Sequence, residues 1–279
     1  MMHDVLEILG EVYMNNTLTW WTTALTITSA LVFIMLERLR PYTKGQRLFR
    51  EGFVNDFILY TIVQSYVLGL IIFGVIYAID DFTTIERFDG IRSLPVWLQV
   101  VLFIVVHDFY IYWFHRLQHR NMRLWRTHEA HHSTNDVDWL SGSRSHSLEI
   151  LINQTVEFAP IVLLASPETA VVKGCIDAIW GMWIHANIDV RSGVLQYVIN
   201  GPEMHRWHHA ADDDAHNKNF STKLAIWDWM FGTAFLPKQR KPKGYGLGDT
   251  FPKTYVGQHL HAFRPLRHDD TASNNELRS

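Results

Sequence analysis

A single cysteine, Cys175, serves a chain of 279 residues. That scarcity excludes an internal disulfide, a four-cysteine zinc site and a cysteine-ligated iron–sulfur cluster, so any bound metal depends on nitrogen and oxygen donors. Positive charge is also short. Lys and Arg number 25 against 28 Asp and Glu, a formal net charge of −3, without the basic excess that marks nucleic-acid binding. Charged residues of both signs make up only 19%, beside 48% hydrophobic and 13% aromatic residues. This composition fits a membrane protein with a large polar portion. The opening "MMHDVLEILGEVYMNNT" puts acids ahead of the first apolar run. It lacks the basic start and small-residue cleavage site of a signal peptide, so no removal is expected there.

Apolar stretches of about 20 residues, enough for a ~30 Å hydrocarbon core, occupy 18–36, 53–79 and 95–114. Two more, 147–166 and 168–187, are separated by Pro167 and read as a membrane hairpin. Asn55 and Asp56 in the second stretch, and Glu149, Glu157, Lys173 and Asp177 in the hairpin, need a protein interior or a re-entrant path. The expected architecture is an all-α integral membrane bundle of about three spans plus the hairpin, with a histidine-rich helical cap. Its parts are N-terminal spans over 1–114, a histidine-rich region over 115–236 that includes the 147–187 hairpin, and a polar tail over 237–279.

Loop charge sets the expected orientation. Segment 37–51 carries five Lys or Arg, whereas 80–94 carries two against four acids. The first is therefore expected in the cytoplasm and the second outside, which puts His115 and everything after the hairpin at the cytoplasmic face. Trp20, Trp21 and Trp97 then lie at outer span ends, as interfacial aromatics do.

Of 16 histidines, 11 fall between 107 and 209. In "HRLQH", His115 and His119 share a helical face at i, i+4. "HEAHH" places His128, His131 and His132 at i, i+3, i+4, and "HRWHH" repeats the spacing at His205, His208 and His209. "HEAHH" also fits the zinc-protease pattern H-E-x-x-H, with Glu129 as general base. That reading explains five residues and leaves the other two motifs idle. A lone HxxxH is commonly a surface pair. Three such motifs on one side of a membrane need partners for many neutral rings, and metal is the economical one. Eight imidazoles exceed one ion's coordination, so two ions are expected, and imidazole suits Fe, Zn or Cu rather than Mg or Ca.

The order HxxxH, HxxHH, HxxHH behind membrane spans resembles the fatty acid hydroxylase and sterol desaturase superfamily of membrane di-iron oxygenases. The resemblance runs from about 100 to 236 and includes "YWFHR", "HHSTNDVDWLSGSRSH", "HANI" and "NFSTKLAIWDWMFGT". It implies metal-ligand roles for His115, His119, His128, His131, His132, His205, His208 and His209, with His185 as a further ligand. It also implies two iron ions, replaceable by zinc, with O2 as co-substrate. Some members carry another histidine where this chain has Asp189, leaving open whether Asp189 binds metal, orients His185 or does neither. The role of His146 is left open too. Asp108 could hydrogen-bond a ligand histidine, and His107 reads as a buried ring or pocket wall. His3, His216, His259, His261 and His268 read as surface residues.

The expected activity is O2-dependent hydroxylation or desaturation of a lipid C–H bond, with no further catalytic side chains and no organic cofactor site. The expected partners are a lipid substrate, the membrane and an external electron donor, whether a reductase, ferredoxin or cytochrome. Nucleic acid is not among them. The membrane zinc protease built on His128, Glu129 and His132 is the rival.

Overall fold

The computed structural model describes residues 17–83, 89–238, 240–247 and 251–265. His3 and His268, part of the 80–94 loop and the end of the tail lie outside the described residues. Helix α1 spans Thr17–Leu39. A π-helix, Asn55–Gln64, runs directly into α2, Ser65–Thr83. After a single turn at Asp89–Arg92 come α3, Val96–Arg120, and α4, Met122–His132. The hairpin is α5, Ser147–Leu164, and α6, Pro167–His185. Short helices follow: α7, Pro202–His208; α8, Ile226–Met230; and α9, Tyr255–His261. Among the described residues extended pairing is limited to two isolated bridges, Pro41 with Ile188 and Ala210 with Tyr245.

Among the described residues, four helical stretches are long and apolar enough to cross a bilayer: Thr17–Leu39, Asn55–Phe82, Val96–Arg120 and Ser147–Leu164. The chain is an all-α integral membrane bundle. In α1, Leu25, Ile27, Leu31 and Met35 are each more than half exposed, a cost in water that lipid removes. The expected spans agree with the observed helices to within a few residues, except that α3 continues to Arg120 and so carries both His115 and His119.

Helix α6 has Ser166 as its N-cap and Pro167 in the first turn, where the missing N–H costs nothing. It packs against α1, α3 and α5. Its Lys173 is fully buried, and Glu149 and Glu157 on α5 are buried too, so these hairpin charges turn into protein rather than toward lipid. Phe103, Ile161, Ala165 and Ala170 form one apolar cluster among α3, α5 and α6; Leu68, Ile72 and Ile76 of α2 form another against α5.

Buried charges tie the spans to the cap. Asp56, in the π-helix, receives both a paired contact from Arg144 at 2.8 and 2.9 Å and Arg50 at 2.8 Å. Arg50 also holds Asp138 at 2.7 and 2.9 Å. Glu37, at the end of α1, accepts the backbone N–H groups of Trp139 and Asn187, both at 2.8 Å. The segments on either side of the histidine helices are thereby anchored to α1 and the π-helix.

Candidate metal centre

Nine histidines converge where α3, α4, α6 and α7 meet. They fall into two groups, His115, His119, His128, His132 and His208 in one and His131, His185, His205 and His209 in the other. Within each group the nearest ring nitrogens all lie within 4.8 Å of one another. The division cuts across the sequence motifs. His128 and His132 project to the first group and His131, between them, to the second; from "HRWHH", His208 joins the first while His205 and His209 join the second.

Second contacts settle which nitrogen carries the proton. The Nδ1 atoms of His115, His131, His185 and His208 each face a backbone carbonyl, of Phe220, Arg144, Gly181 and Lys218 respectively, at 2.7–3.1 Å. That of His128 faces the Glu149 carboxylate at 2.9 Å. Each acceptor takes a proton, so each Nδ1 donates, and in a neutral ring Nε2 then presents a bare lone pair. Yet His115 Nε2 lies 3.0 Å from His128 Nε2, and His131 Nε2 lies 3.3 Å from His185 Nε2. Lone pairs so aligned repel unless a cation lies between them. Two nitrogens bound to one ion at about 2.1 Å stand about 3.0–3.4 Å apart, which fits these separations. The ring Nε2 atoms of His119, His132 and His208 are buried and, among the described residues, have no hydrogen-bond partner, a cost that metal would remove. The donor set fits a pair of transition-metal ions.

Burial, followed by mutual repulsion among the rings, holds His131, His132, His205 and His209 well below the ordinary imidazole range. Burial brings His208 down to about 3. These rings are neutral at pH 7, the form that ligates metal.

Several other residues resolve differently. Glu129 pairs with Arg126 at 3.2 Å and approaches His261 at 3.5 Å, outside both histidine groups, which disfavours its use as a protease base. Asp108 orients no histidine. It accepts from Thr222 Oγ1, the N–H groups of Lys223 and Leu224, and Trp227 Nε1 at 2.6–3.0 Å. Asp189 neither joins a group nor touches His185; it meets Lys241 at 3.1 Å on the surface. His146 accepts from Leu148 N–H as the N-cap of α5 and stacks on His259. His216 is exposed, as expected. His259 and His261 are half-buried and engaged rather than freely exposed: His259 accepts from Ser147 N–H at 3.1 Å, and His261 meets Arg126 at 2.9 Å. His107 is the expected pocket wall, 3.2 Å from Glu157.

Glu149 was visible only as an acid in an apolar stretch, and the four orienting carbonyls had no signal in the sequence at all. Gly142 was also missed. A Cβ there would come within 2.6 Å of His185 Nδ1, so the glycine makes room for that ring.

A cavity of about 220 Å³ borders both groups, touching His115 and His128 of one and His131, His185 and His205 of the other. Ile111, Phe114, Ile150, Trp180 and Ile184 give it an apolar wall.

The fatty acid hydroxylase family model matches residues 100–233. Ornithine lipid hydroxylase OlsE of Rhizobium tropici is 28% identical over 246 residues, covering 85% of this chain and 74% of the relative. Alkylglycerol monooxygenase of Homo sapiens is 32% identical over 160 residues, 57% of this chain but only 33% of the relative. Very-long-chain aldehyde decarbonylase GL1-8 of Oryza sativa subsp. indica is 28% identical over 168 residues, 53% and 58% respectively. No solved structure matches the chain. All nine clustered histidines lie inside the stretch that matches the fatty acid hydroxylase family model, so the histidine centre and the family resemblance coincide.

Proposed function

We propose that this protein is a di-iron oxygenase that hydroxylates or desaturates a C–H bond of a membrane lipid. The observation that carries the reading is the pair of all-histidine groups opening onto one small cavity inside a lipid-embedded bundle. Two iron ions held there would supply O2 reduction and attack on an unactivated C–H bond, drawing two electrons from a separate donor. The nine clustered histidines are the proposed ligands. The chain's own contribution is positional. Glu149 and the carbonyls of Phe220, Arg144, Gly181 and Lys218 hold five rings with Nε2 forward, the outer-shell control that tunes metal sites. The buried walls keep bulk water from the reacting carbon.

The relatives named for ornithine lipid and alkylglycerol support a lipid substrate. Five basic residues in 37–51 against two in 80–94 support a cytoplasmic active site, within reach of a soluble reductase, ferredoxin or cytochrome.

Growth of an expressing strain under ¹⁸O2, with lipid mass spectrometry against an empty-vector control, tests the proposal. A lipid carrying ¹⁸O, or one shortened by two hydrogens, and present only with the protein is the expected result. An unchanged lipid profile from iron-loaded protein would overturn it, and oxygen entering only from water would point to hydrolysis.

A further inference from the structure

The cavity beside the histidines has a second, charged wall. Glu157, Asp177 and Lys223 line it together with Asn153 and Thr222, and Lys173 stands behind them, fully buried. Lys173 is saturated: its ammonium meets Glu157, Asp177 at 2.8 Å and His107 Nδ1 at 3.5 Å. Lys223 is not. Its ammonium meets Asp177 Oδ1 at 2.8 Å, the one side-chain partner it has among the described residues, and an ammonium has three donors. It is 8% exposed overall and lines the cavity, with the Glu157 and Asp108 carboxylates also near enough to act on its charge.

The placement of Lys223 is also rigid. Asp108, on α3, accepts from the N–H groups of both Lys223 and Leu224 at 2.8 Å and from the neighbouring Thr222 hydroxyl at 2.6 Å. The Lys223 carbonyl accepts from Asn200 N–H at 2.8 Å. A buried ammonium with unused donors is costly unless a further acceptor reaches it, and ionisable groups at membrane depth mark ligand paths. The cavity's roughly 220 Å³ is below the ~300–1,000 Å³ that encloses a whole small ligand. It therefore takes part of a lipid and leaves the rest in the bilayer.

Resting on the oxygenase reading, we infer that Lys223 anchors the anionic group of an ionised lipid head in this cavity. The polar end, not the middle of an acyl chain, then lies beside the histidine groups. Asp177 holds the ammonium from behind and offers an acid to any cation the head also carries. The substrate class is an amphiphile with a phosphate, carboxylate or sulfate in its head, oxidised close to that head.

Equilibrium binding to the purified, metal-loaded, full-length protein in non-ionic detergent tests this, with dodecyl phosphate, dodecanol and dodecylammonium as probes. No reductant is supplied, so the outcome is independent of turnover and of the ¹⁸O2 experiment. Dodecyl phosphate should bind roughly ten- to a hundredfold more tightly than dodecanol, the usual gain from a charged hydrogen bond. Lys223→Met should erase that preference and Lys223→Arg should keep it. Inorganic phosphate at the same concentration should not compete. Equal binding of phosphate and alcohol by the unaltered protein would overturn the assignment without recourse to any variant. An undiminished preference in Lys223→Met would overturn it too, by placing the phosphate on the metals. Full competition by inorganic phosphate would make this an anion site rather than a lipid-head site.

Discussion

His115 and His128 come from different helices, yet their Nε2 atoms stand 3.0 Å apart while both Nδ1 atoms donate elsewhere. Neither ring can turn to relieve the contact without giving up the Phe220 carbonyl or the Glu149 carboxylate. With both rings neutral the two lone pairs stand in opposition, an arrangement that a shared cation stabilises.

Acid should release the metals and loosen the cap together. His131, His132, His205 and His209 lie well below the ordinary imidazole range, and His208 falls to about 3. In the unfolded chain the same rings titrate near 6.5. Between those limits the unfolded state holds more protons, so stability rises with pH there. It is fully present above about pH 6.5 and falls away toward pH 3. Thermal unfolding and metal content followed from pH 7.5 down to 5 should decline together; a flat Tm over that range would contradict the neutral-ring assignment.

Glu129 and His131 are two residues apart and should behave oppositely. His131→Ala removes one of the four nitrogens of its group and should abolish product formation with loss of metal. Glu129→Gln alters contacts that include those with Arg126 and His261, outside both histidine groups, and should retain most activity. Metal analysis and lipid turnover of both variants decide the matter. Inactive Glu129→Gln beside active His131→Ala would restore the protease reading.

Glu149 acts through His128. Loss of such a carboxylate partner costs about 10–100-fold in metal affinity, so Glu149→Ala should show that weakening in a chelator competition, while Glu149→Gln, which can still accept from Nδ1, should lose less. Equal affinities for wild type and Glu149→Ala would remove Glu149 from the site.

At Gly142 one methyl group suffices. Gly142→Ala would bring a Cβ to 2.6 Å from His185 Nδ1, forcing the ring off the Gly181 carbonyl and out of its four-histidine group. Metal content should fall from two ions per chain toward one, with the helices intact by circular dichroism. Retention of two ions would show that the ring moves without penalty.

Membrane sidedness can be read with single cysteines in a Cys175→Ser background. An impermeant thiol reagent on intact cells should label Ser93→Cys and spare Thr43→Cys until the cells are permeabilised. The reverse pattern would invert the proposed orientation.

Much of this site was legible because helical spacing alone decides which side chains share a face. The three histidine motifs, with His185, name all nine clustered rings. Their division into five and four was not legible, since it depends on how α4 and α7 are rotated against α3 and α6, and α7 is seven residues long, too short for periodicity to orient it. The orienting carbonyls carry no side-chain signature. Asp108 was a candidate histidine partner, yet it faces the 222–227 segment, a contact 114 to 119 positions away in the chain. The polar tail hid α9, whose His259 and His261 find their partners in the segments around Ser147 and Arg126.

Because each HxxHH motif sends rings into both histidine groups, the two sites share their helices. An ion that fixes His128 and His132 also fixes the turn bearing His131, and one that fixes His205 and His209 also places His208. Ordering the backbone for the first ion therefore lowers the conformational entropy still to be lost on binding the second, a form of positive cooperativity that needs no movement between two shapes. Loading should proceed nearly all-or-none, with singly occupied protein scarce at half saturation. In a cell poor in iron, the population would then consist of complete centres and empty ones, with few half-built sites able to activate O2 without a partner ion.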